Sequence, residues 1–227
     1  MGVRPTASRE VELDLAARHG IVAGIDEVGR GCLAGPVTVG VALVDEGVGA
    51  PPEGLTDSKA LSARRREDLV EPVRRWVLDH ELGWASAAEI DEIGVVAALR
   101  LAARRALAAL VGRGRLPGVV LLDGSHDWLS LSQDLFTATD APTLPGGPEV
   151  DALPVVTRVK ADLECAVVSA ASVLAKVARD DHMCALDDPG YGWASNKGYA
   201  SAAHVEGLAR LGPAGQHRRS WKLPGVA

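Results

Sequence analysis

Four acidic residues stand at or just beyond the ends of predicted strands, where their side chains could act together. Asp26 and Glu27 follow an apolar run, Asp123 ends a second run, and Asp162 lies just past a third. Strand interiors disfavour aspartate, so acids at these places need an explanation. If the three strands are neighbours in a sheet, their ends converge and the four acids form one cluster.

Such a cluster would need bound cations, because like charges at contact distance repel strongly. Ligands that are all oxygen select hard ions, Mg²⁺ or Mn²⁺. Two such ions about 4 Å apart suit in-line phosphodiester displacement, in which one activates water and the other stabilises the leaving oxygen. The alternative is that each acid is only a turn or cap residue, since Asp-Gly, as at 123–124, is an ordinary turn dipeptide. The spacing alone leaves both interpretations open.

The elements that must position these acids follow an order typical of an α/β fold. Apolar and β-branched runs predict five strands, within 21–31, which ends in a glycine-rich turn, and at 36–44, 80–87, 117–124 and 153–162. Helices are predicted at 62–77, from 86 or 87, and at 94–111, 164–186 and 201–211. Consecutive strands at the start favour antiparallel pairing, and the later alternation of strand and helix favours parallel pairing. We therefore expect a mixed five-stranded sheet with helices on both faces and a C-terminal helical segment.

Length and composition are those of an ordinary globular protein. The chain has 227 residues, of which 47% are hydrophobic and 24% charged, which suits a single domain over 1–227 with a sizeable core. No apolar run is long enough to span a membrane, and the N-terminus has no secretory signal. Three cysteines without a CxxC pair indicate neither a disulfide framework nor a zinc site. We expect a cytoplasmic monomer that does not bind membranes.

The net charge of −6 argues mildly against a simple duplex-binding protein. The count omits bound metal, however, and two divalent cations would add four positive charges. Net charge therefore does not decide whether the partner is a nucleic acid.

Six motifs follow one another in a fixed order and cover most of 21–221. They are GIDEVGRGCLAGPV, LTDSKALSARRRE, LLDG, VKAD followed by SAASVLAKVARD, NKGY, and GPAGQHRRSW. One such motif would be a weak signal, but six in order are very specific. In this order the chain resembles bacterial ribonuclease HII, a type 2 ribonuclease H.

The resemblance implies a ribonuclease H-like fold and a metal-dependent endonuclease. Its substrates would be RNA in RNA–DNA hybrids and single ribonucleotides embedded in duplex DNA, with 3′-hydroxyl and 5′-phosphate products and roles in removing primer RNA and misplaced ribonucleotides. The cofactor would be Mn²⁺ or Mg²⁺, two ions with substrate. By motif match, Asp26 and Glu27 are the adjacent acid pair, Asp123 is the third metal ligand and Asp162 is the fourth acid.

The same match gives two elements a role in substrate selection. The Gly29-Arg30-Gly31 turn would read the ribose 2′-hydroxyl, and Tyr199 would pack at the junction between ribose and deoxyribose. The 2′-hydroxyl distinguishes RNA from DNA, and glycines let the backbone approach a sugar closely. The alternatives are a plain tight turn and a buried core tyrosine.

Further polar and basic residues are candidates for contacts with the nucleic-acid backbone. They are Ser58, Lys59, Lys176, Arg179, His217, Arg218 and Arg219. The last three form the densest basic cluster and would suit duplex phosphates. The alternatives are a solvated loop at 58–59, residues that only flank a helix at 176 and 179, and a disordered basic tail.

The largest departure from compact family members is the long interval between Asp123 and Asp162. We expect an insertion around 126–152 that forms a surface loop, and a helical and basic C-terminal part from about 187. Two other functions remain as alternatives: a two-metal DNA nuclease or resolvase on the same fold, and a non-catalytic nucleic-acid binding module. A DNA nuclease has no 2′-hydroxyl to read, and a binding module would need a basic surface rather than clustered acids.

Overall fold

The computed structural model describes residues 7–130 and 144–226. Its five strands are β1 (Val22–Val28), β2 (Val37–Val44), β3 (Asp79–Ala85), β4 (Val119–Asp123) and β5 (Val155–Arg158). They form one sheet in the order β3-β2-β1-β4-β5. β1 pairs antiparallel with β2 and β2 with β3, whereas β1–β4 and β4–β5 are parallel. The expected mixed five-stranded sheet is confirmed.

Helices cover both faces of this sheet, as expected. They are α1 (Glu10–His19), α2 (Ala63–Trp76), α3 (Ala87–Ile93), α4 (Val95–Gly112), α5 (Gly147–Asp151), α6 (Ala161–Glu164), α7 (Ala166–Ala185), α8 (Trp193–Asn196) and α9 (Ala202–Leu211). One core lies between the sheet and α1, α2 and α7, and a second lies between the sheet and α3 and α4. In the described part of the chain, no helix is long and apolar enough to cross a membrane.

Glycines inside the strands let the two large helices approach the sheet closely. A β-carbon at Gly24 would lie 2.6 Å from the carbonyl carbon of Val167 in α7, and one at Gly40 would overlap the carbonyl oxygen of Ala171. On the opposite face, a β-carbon at Gly83 would overlap the backbone of α4. Strand glycines often mark such close backbone approach. Gly24 and Gly40 therefore bring α7 directly beneath the C-terminal half of β1, where Asp26 and Glu27 lie.

A surface loop is predicted over 126–152, but the described ends of this segment are packed against the rest of the protein. Trp128 is buried in the core against α4. The buried Arg104 forms an ion pair with Asp151 of α5 at 2.6 Å and donates to the carbonyl of Pro145 at 2.9 Å. Residues 131–143 of the predicted insertion lie outside the described residues. Both flanks of that stretch are therefore anchored on α4.

The C-terminal part is ordered rather than a disordered basic tail. Leu33, Tyr191, Trp193 and Leu208 belong to a third apolar cluster. Beside it, His217 is buried, and its Nε2 lies 2.9 Å from Nε2 of His204. The expectation that His217 contacts duplex phosphates is therefore wrong, because its ring faces the interior.

The close approach of α7 predicts a stability difference between two glycine-to-alanine variants. Gly40→Ala should lower the free energy of unfolding by about 1–3 kcal/mol, because the added methyl group overlaps backbone that cannot rotate away. Gly112→Ala is the matched control, since a β-carbon there meets nothing within 4 Å. Alanine favours a helix over glycine, so this control should be neutral or slightly stabilising. Urea denaturation monitored by circular dichroism gives both values, and equal midpoints would contradict the packing account.

Candidate active site

Asp26 and Asp123 lie side by side because their strands are parallel neighbours. Ile25 of β1 is in register with Leu122 of β4, so the next residue of each strand is an aspartate. Side chains alternate between the faces of a strand, and Ile25 and Leu122 both point into the core under α4. The two aspartates therefore point to the opposite face, which is covered by α7.

Asp26 is 3% exposed and sits above α7. Its Oδ1 accepts a hydrogen bond from the backbone N–H of Glu27 at 2.9 Å. Burial, the largest cause, raises the pKa of Asp26 to about 8. A hydrogen bond with the Ser172 side chain opposes this shift in pKa, whereas the negative charges of Glu27 and Asp123 add to it. The Ser172 hydroxyl also bonds that of Ser58 at 2.9 Å.

Asp123 places Asp162 beside it. The Oδ1 of Asp123 accepts from the backbone N–H groups of Ala161 at 2.8 Å and Asp162 at 3.4 Å, at the start of α6. Lys160 enters this helix with φ 61°. Asp162 thus lies in a short helix rather than in a continuation of β5. Burial, followed by the charges of Asp123 and Asp57, raises the pKa of Asp162 to about 6.

Glu27 follows Asp26 in the chain, and its negative charge raises the pKa of Asp26. Strand alternation directs it to the face opposite Asp26, and its Oε1 lies 3.4 Å from Nη1 of Arg30. Burial, the largest cause, raises its pKa. Among residues 7–130 and 144–226, no three acidic, histidine or cysteine side chains already form a metal-binding group. The structure brings Asp26, Asp123 and Asp162 to one edge of the sheet, and the convergence of all four acids on metal remains a prediction.

The chemistry of this group of acids fits a hard divalent cation. All of the donors are carboxylate oxygens, which suit Mg²⁺ or Mn²⁺. The Nζ of Lys59 already lies 3.8 Å from Oδ2 of Asp162. Partial burial lowers the pKa of Lys59, but attraction to Asp26 and Asp57 outweighs it and the pKa is raised. The Lys59 ammonium and the repulsion between neighbouring acids both indicate a site that favours positive charge.

The turn after β1 is held by two buried arginines. Gly29 has φ 86°, and a β-carbon there would overlap the Arg179 side chain. Arg218 is fully buried and donates to the carbonyls of Gly29 at 2.6 Å, Arg30 at 2.7 Å and Gly35 at 3.1 Å. The expectation that Arg218 contacts a phosphate is therefore corrected: its donors are used by the turn. Ser58 is also buried, against Ser172, and does not face solvent.

Other predicted contact residues do remain at the surface. Tyr199 is 43% exposed, which rules out the buried core tyrosine. Arg30, Gly31, Lys59 and Arg219 are exposed as well. Lys176 is half-buried and forms an ion pair with Asp180 at 2.6 Å.

Sequence reasoning missed Ser172 and Asp57, which influence the pKa values of the acids. Asp57 raises the pKa of Asp162, and Ser172 lowers that of Asp26 by hydrogen bonding. A signal for Ser172 was available, because a hydroxyl inside the apolar helix α7 needs a partner. Asp57 stands in a polar turn, where an acid attracts no notice.

The metal-free protein should lose stability as pH rises through neutrality. An aspartate in an unfolded chain has a pKa of about 3.9, whereas the pKa of Asp26 in the fold is about 8. The resulting stabilisation is complete below the unfolded pKa and is lost as pH rises through the folded value. The wild-type melting temperature in EDTA should therefore fall between about pH 5 and about pH 8. Asp26→Asn, which mimics the protonated acid, should flatten that slope.

Asp14→Asn is the matched control for this experiment, since the Asp14 side chain is 72% exposed. It should keep the slope of the wild type. Parallel slopes for the wild type and Asp26→Asn would contradict the proposed environment of Asp26.

Solved structures of known proteins share this architecture. The chain is similar to RNase HII in its complex with PCNA from Archaeoglobus fulgidus, with a TM-score of 0.62 and 27% identity over 88% of this chain and 93% of that one. It is also similar in fold to Bst-RNase HIII in complex with Mn²⁺, with a TM-score of 0.56 and 20% identity over 84% of this chain and 61% of that one. These similarities confirm the ribonuclease H-like fold.

Sequence comparison agrees with the structural one. Ribonuclease HII of Streptomyces avermitilis is 46% identical over 219 residues, which cover 96% of this chain and 83% of that protein. Ribonuclease HII of Moorella thermoacetica is 42% identical over 209 residues, which cover 90% and 89%. The family model described as Ribonuclease HII matches residues 23–224. The chain belongs to the ribonuclease HII family.

Proposed function

We propose that this protein hydrolyses the phosphodiester on the 5′ side of a ribonucleotide, in RNA–DNA hybrids and at single ribonucleotides within duplex DNA. The products carry 3′-hydroxyl and 5′-phosphate ends. The observation that carries the proposal is the pair Asp26 and Asp123, side by side just beyond the last paired residues of the parallel strands β1 and β4. Asp26 lies three residues before the Gly29–Gly31 turn. Acids that favour a cation would then lie next to backbone that a sugar can approach.

Asp26 and Asp123 would hold a divalent cation, with Glu27 and Asp162 as further ligands. When bound, Mg²⁺ or Mn²⁺ would supply Lewis acidity and lower the pKa of water at the phosphodiester. The protein's own contribution is orientation. The Glu27 N–H fixes the Asp26 carboxylate, and the N–H groups of Ala161 and Asp162 fix that of Asp123. Supported carboxylates of this kind need no reorganisation when substrate arrives.

The Gly29-Arg30-Gly31 turn would recognise the 2′-hydroxyl through backbone groups. A β-carbon at Gly31 would meet nothing within 4 Å, so the backbone is open to a ligand there. Carbonyls of Gly29 and Arg30 are tied down by Arg218, which leaves the turn little freedom to adapt to a sugar without the hydroxyl. Such a site discriminates because buried polar groups lose their partner when the hydroxyl is absent.

Tyr199 would pack against the sugar that follows the ribonucleotide. It is exposed, and its loop is hydrogen-bonded to the turn after β1 by the N–H groups of Leu33 and Ala34, which donate to the carbonyl of Gly198 at 2.8 and 3.3 Å. An aromatic ring in contact with a deoxyribose penalises an added hydroxyl. Lys59, Arg30 and Arg219 are exposed cations available for backbone phosphates.

The test is cleavage of three duplexes: all-DNA, DNA with one ribonucleotide, and a full RNA–DNA hybrid. In Mg²⁺ or Mn²⁺ the wild type should cut the last two, on the 5′ side of a ribonucleotide, and should leave all-DNA intact, because sites that pair a hydroxyl can discriminate by about 10⁴-fold. Asp123→Asn should abolish cleavage and remain folded. Asp14→Asn, distant and exposed, should retain full activity. Robust cutting of all-DNA would favour the DNA nuclease instead.

A further inference from the structure

Two fully buried arginines lie behind the proposed recognition elements. Arg179 and Arg218 are both 0% exposed, and no ion pair within the described residues includes either one. Burying a guanidinium is costly unless its N–H groups find acceptors. Here the acceptors are backbone carbonyls, so both arginines fix the conformation of the loops to which those carbonyls belong.

Arg179, which projects from α7, bonds two separate loops at once. Its Nε donates to the carbonyl of Pro36 at 2.9 Å, and its Nη2 donates to that of Ala34 at 3.3 Å. Both acceptors lie at the end of the turn after β1. Its Nη1 donates to the carbonyl of Lys197 at 2.9 Å, two residues before Tyr199. One planar group therefore fixes the turn relative to the tyrosine loop.

The two loops also touch directly, with no space for adjustment. Gly198 has φ 87°, and a β-carbon there would overlap the carbonyl oxygen of Ala34. Gly29 packs on the Arg179 guanidinium with similar closeness. The Sγ of Cys32 lies 3.6 Å from the carbonyl of Lys197. The turn, the guanidinium and the tyrosine loop thus form one continuous packed unit.

We propose that Arg179 is a positioning residue that sets the separation between the Gly29–Gly31 turn and Tyr199. This separation, rather than either element alone, selects a ribonucleotide that is followed by a deoxyribonucleotide. The inference rests on the proposed function, in which the turn reads one sugar and Tyr199 reads the next. Two contacts on adjacent sugars report a junction only if their spacing matches that of neighbouring nucleotides.

Lysine cannot replace arginine in this role. The guanidinium presents donors in a rigid plane, whereas lysine carries a single ammonium on a flexible stem. Arg179→Lys keeps the charge and most of the volume, but it leaves at least one of the three carbonyls without its donor. The separation between the loops should then vary. Cleavage at a junction should suffer more than cleavage within a hybrid, where any ribonucleotide serves.

The experiment measures kcat/KM on two duplexes, one with a single ribonucleotide and one a uniform hybrid, and compares their ratio between variants. Misplacement by about 1 Å can cost about 100-fold, so Arg179→Lys should lower the junction-to-hybrid ratio by at least about tenfold. Tyr199→Ala should lower the same ratio. Arg179→Lys should then add little in a Tyr199→Ala background, because both changes remove one interaction.

Arg104→Lys is the matched control. Arg104 is 2% exposed and donates to backbone carbonyls, but these belong to Pro145 and Gly147 on α4's side of the sheet, where it also pairs with Asp151. It should lower the melting temperature and leave the ratio unchanged. Gly198→Ala retains Arg179 but pushes the two loops apart, so it should also lower the junction-to-hybrid ratio. If Arg179→Lys does not fold, this variant tests whether the separation of the loops sets the ratio.

Equal loss on both duplexes in folded Arg179→Lys, or additive effects with Tyr199→Ala, would overturn the positioning role. A wild type that cuts neither duplex would instead refute the proposed function. The two failures are therefore distinguishable.

Discussion

The site depends on one constraint, the parallel pairing of β1 with β4 in a register that places Asp26 beside Asp123. Both aspartates then face α7, which lies against the backbone of β1 and β2 because Gly24 and Gly40 have no side chains. A bulkier residue at either glycine would lift the helix and expose the acids. The position of the carboxylates, and therefore their shared electrostatics, follows from backbone packing rather than from contacts that the acids make themselves.

That packing buries acidic side chains close together, which is electrostatically unfavourable. Burial and neighbouring charges hold the pKa of Asp26 near 8 and that of Asp162 near 6. Buried acids that repel one another destabilise a fold, and a bound cation relieves that repulsion. Membership of the family makes the protein a ribonuclease H, and an active site tolerates strain that a purely structural site would not. Lys59 supplies part of the missing positive charge in the structure.

Much of this arrangement could be predicted from the sequence. Apolar runs placed Asp26 and Asp123 near strand ends, although β1 continues for two residues past Asp26, to Val28. The mixture of antiparallel and parallel pairing followed from the order of the elements. What could not be predicted depends on contacts between distant segments. The register that makes the two aspartates neighbours is one such contact, and the burial of Arg218 against the turn after β1 is another. A basic cluster is indistinguishable from a phosphate-binding surface until the fold shows which of its members point inward.

The central claim is that Asp26 and Asp123 together form a cation site, and calorimetric titration of Mn²⁺ tests it most directly. Because the pKa of Asp26 is about 8, the carboxyl is largely protonated near pH 7, and metal binding should release about one proton. Titrations in buffers of different ionisation enthalpy measure that proton. The account predicts binding with proton release in the wild type, and loss of binding in Asp123→Asn. Binding that releases no proton and survives Asp123→Asn would contradict it.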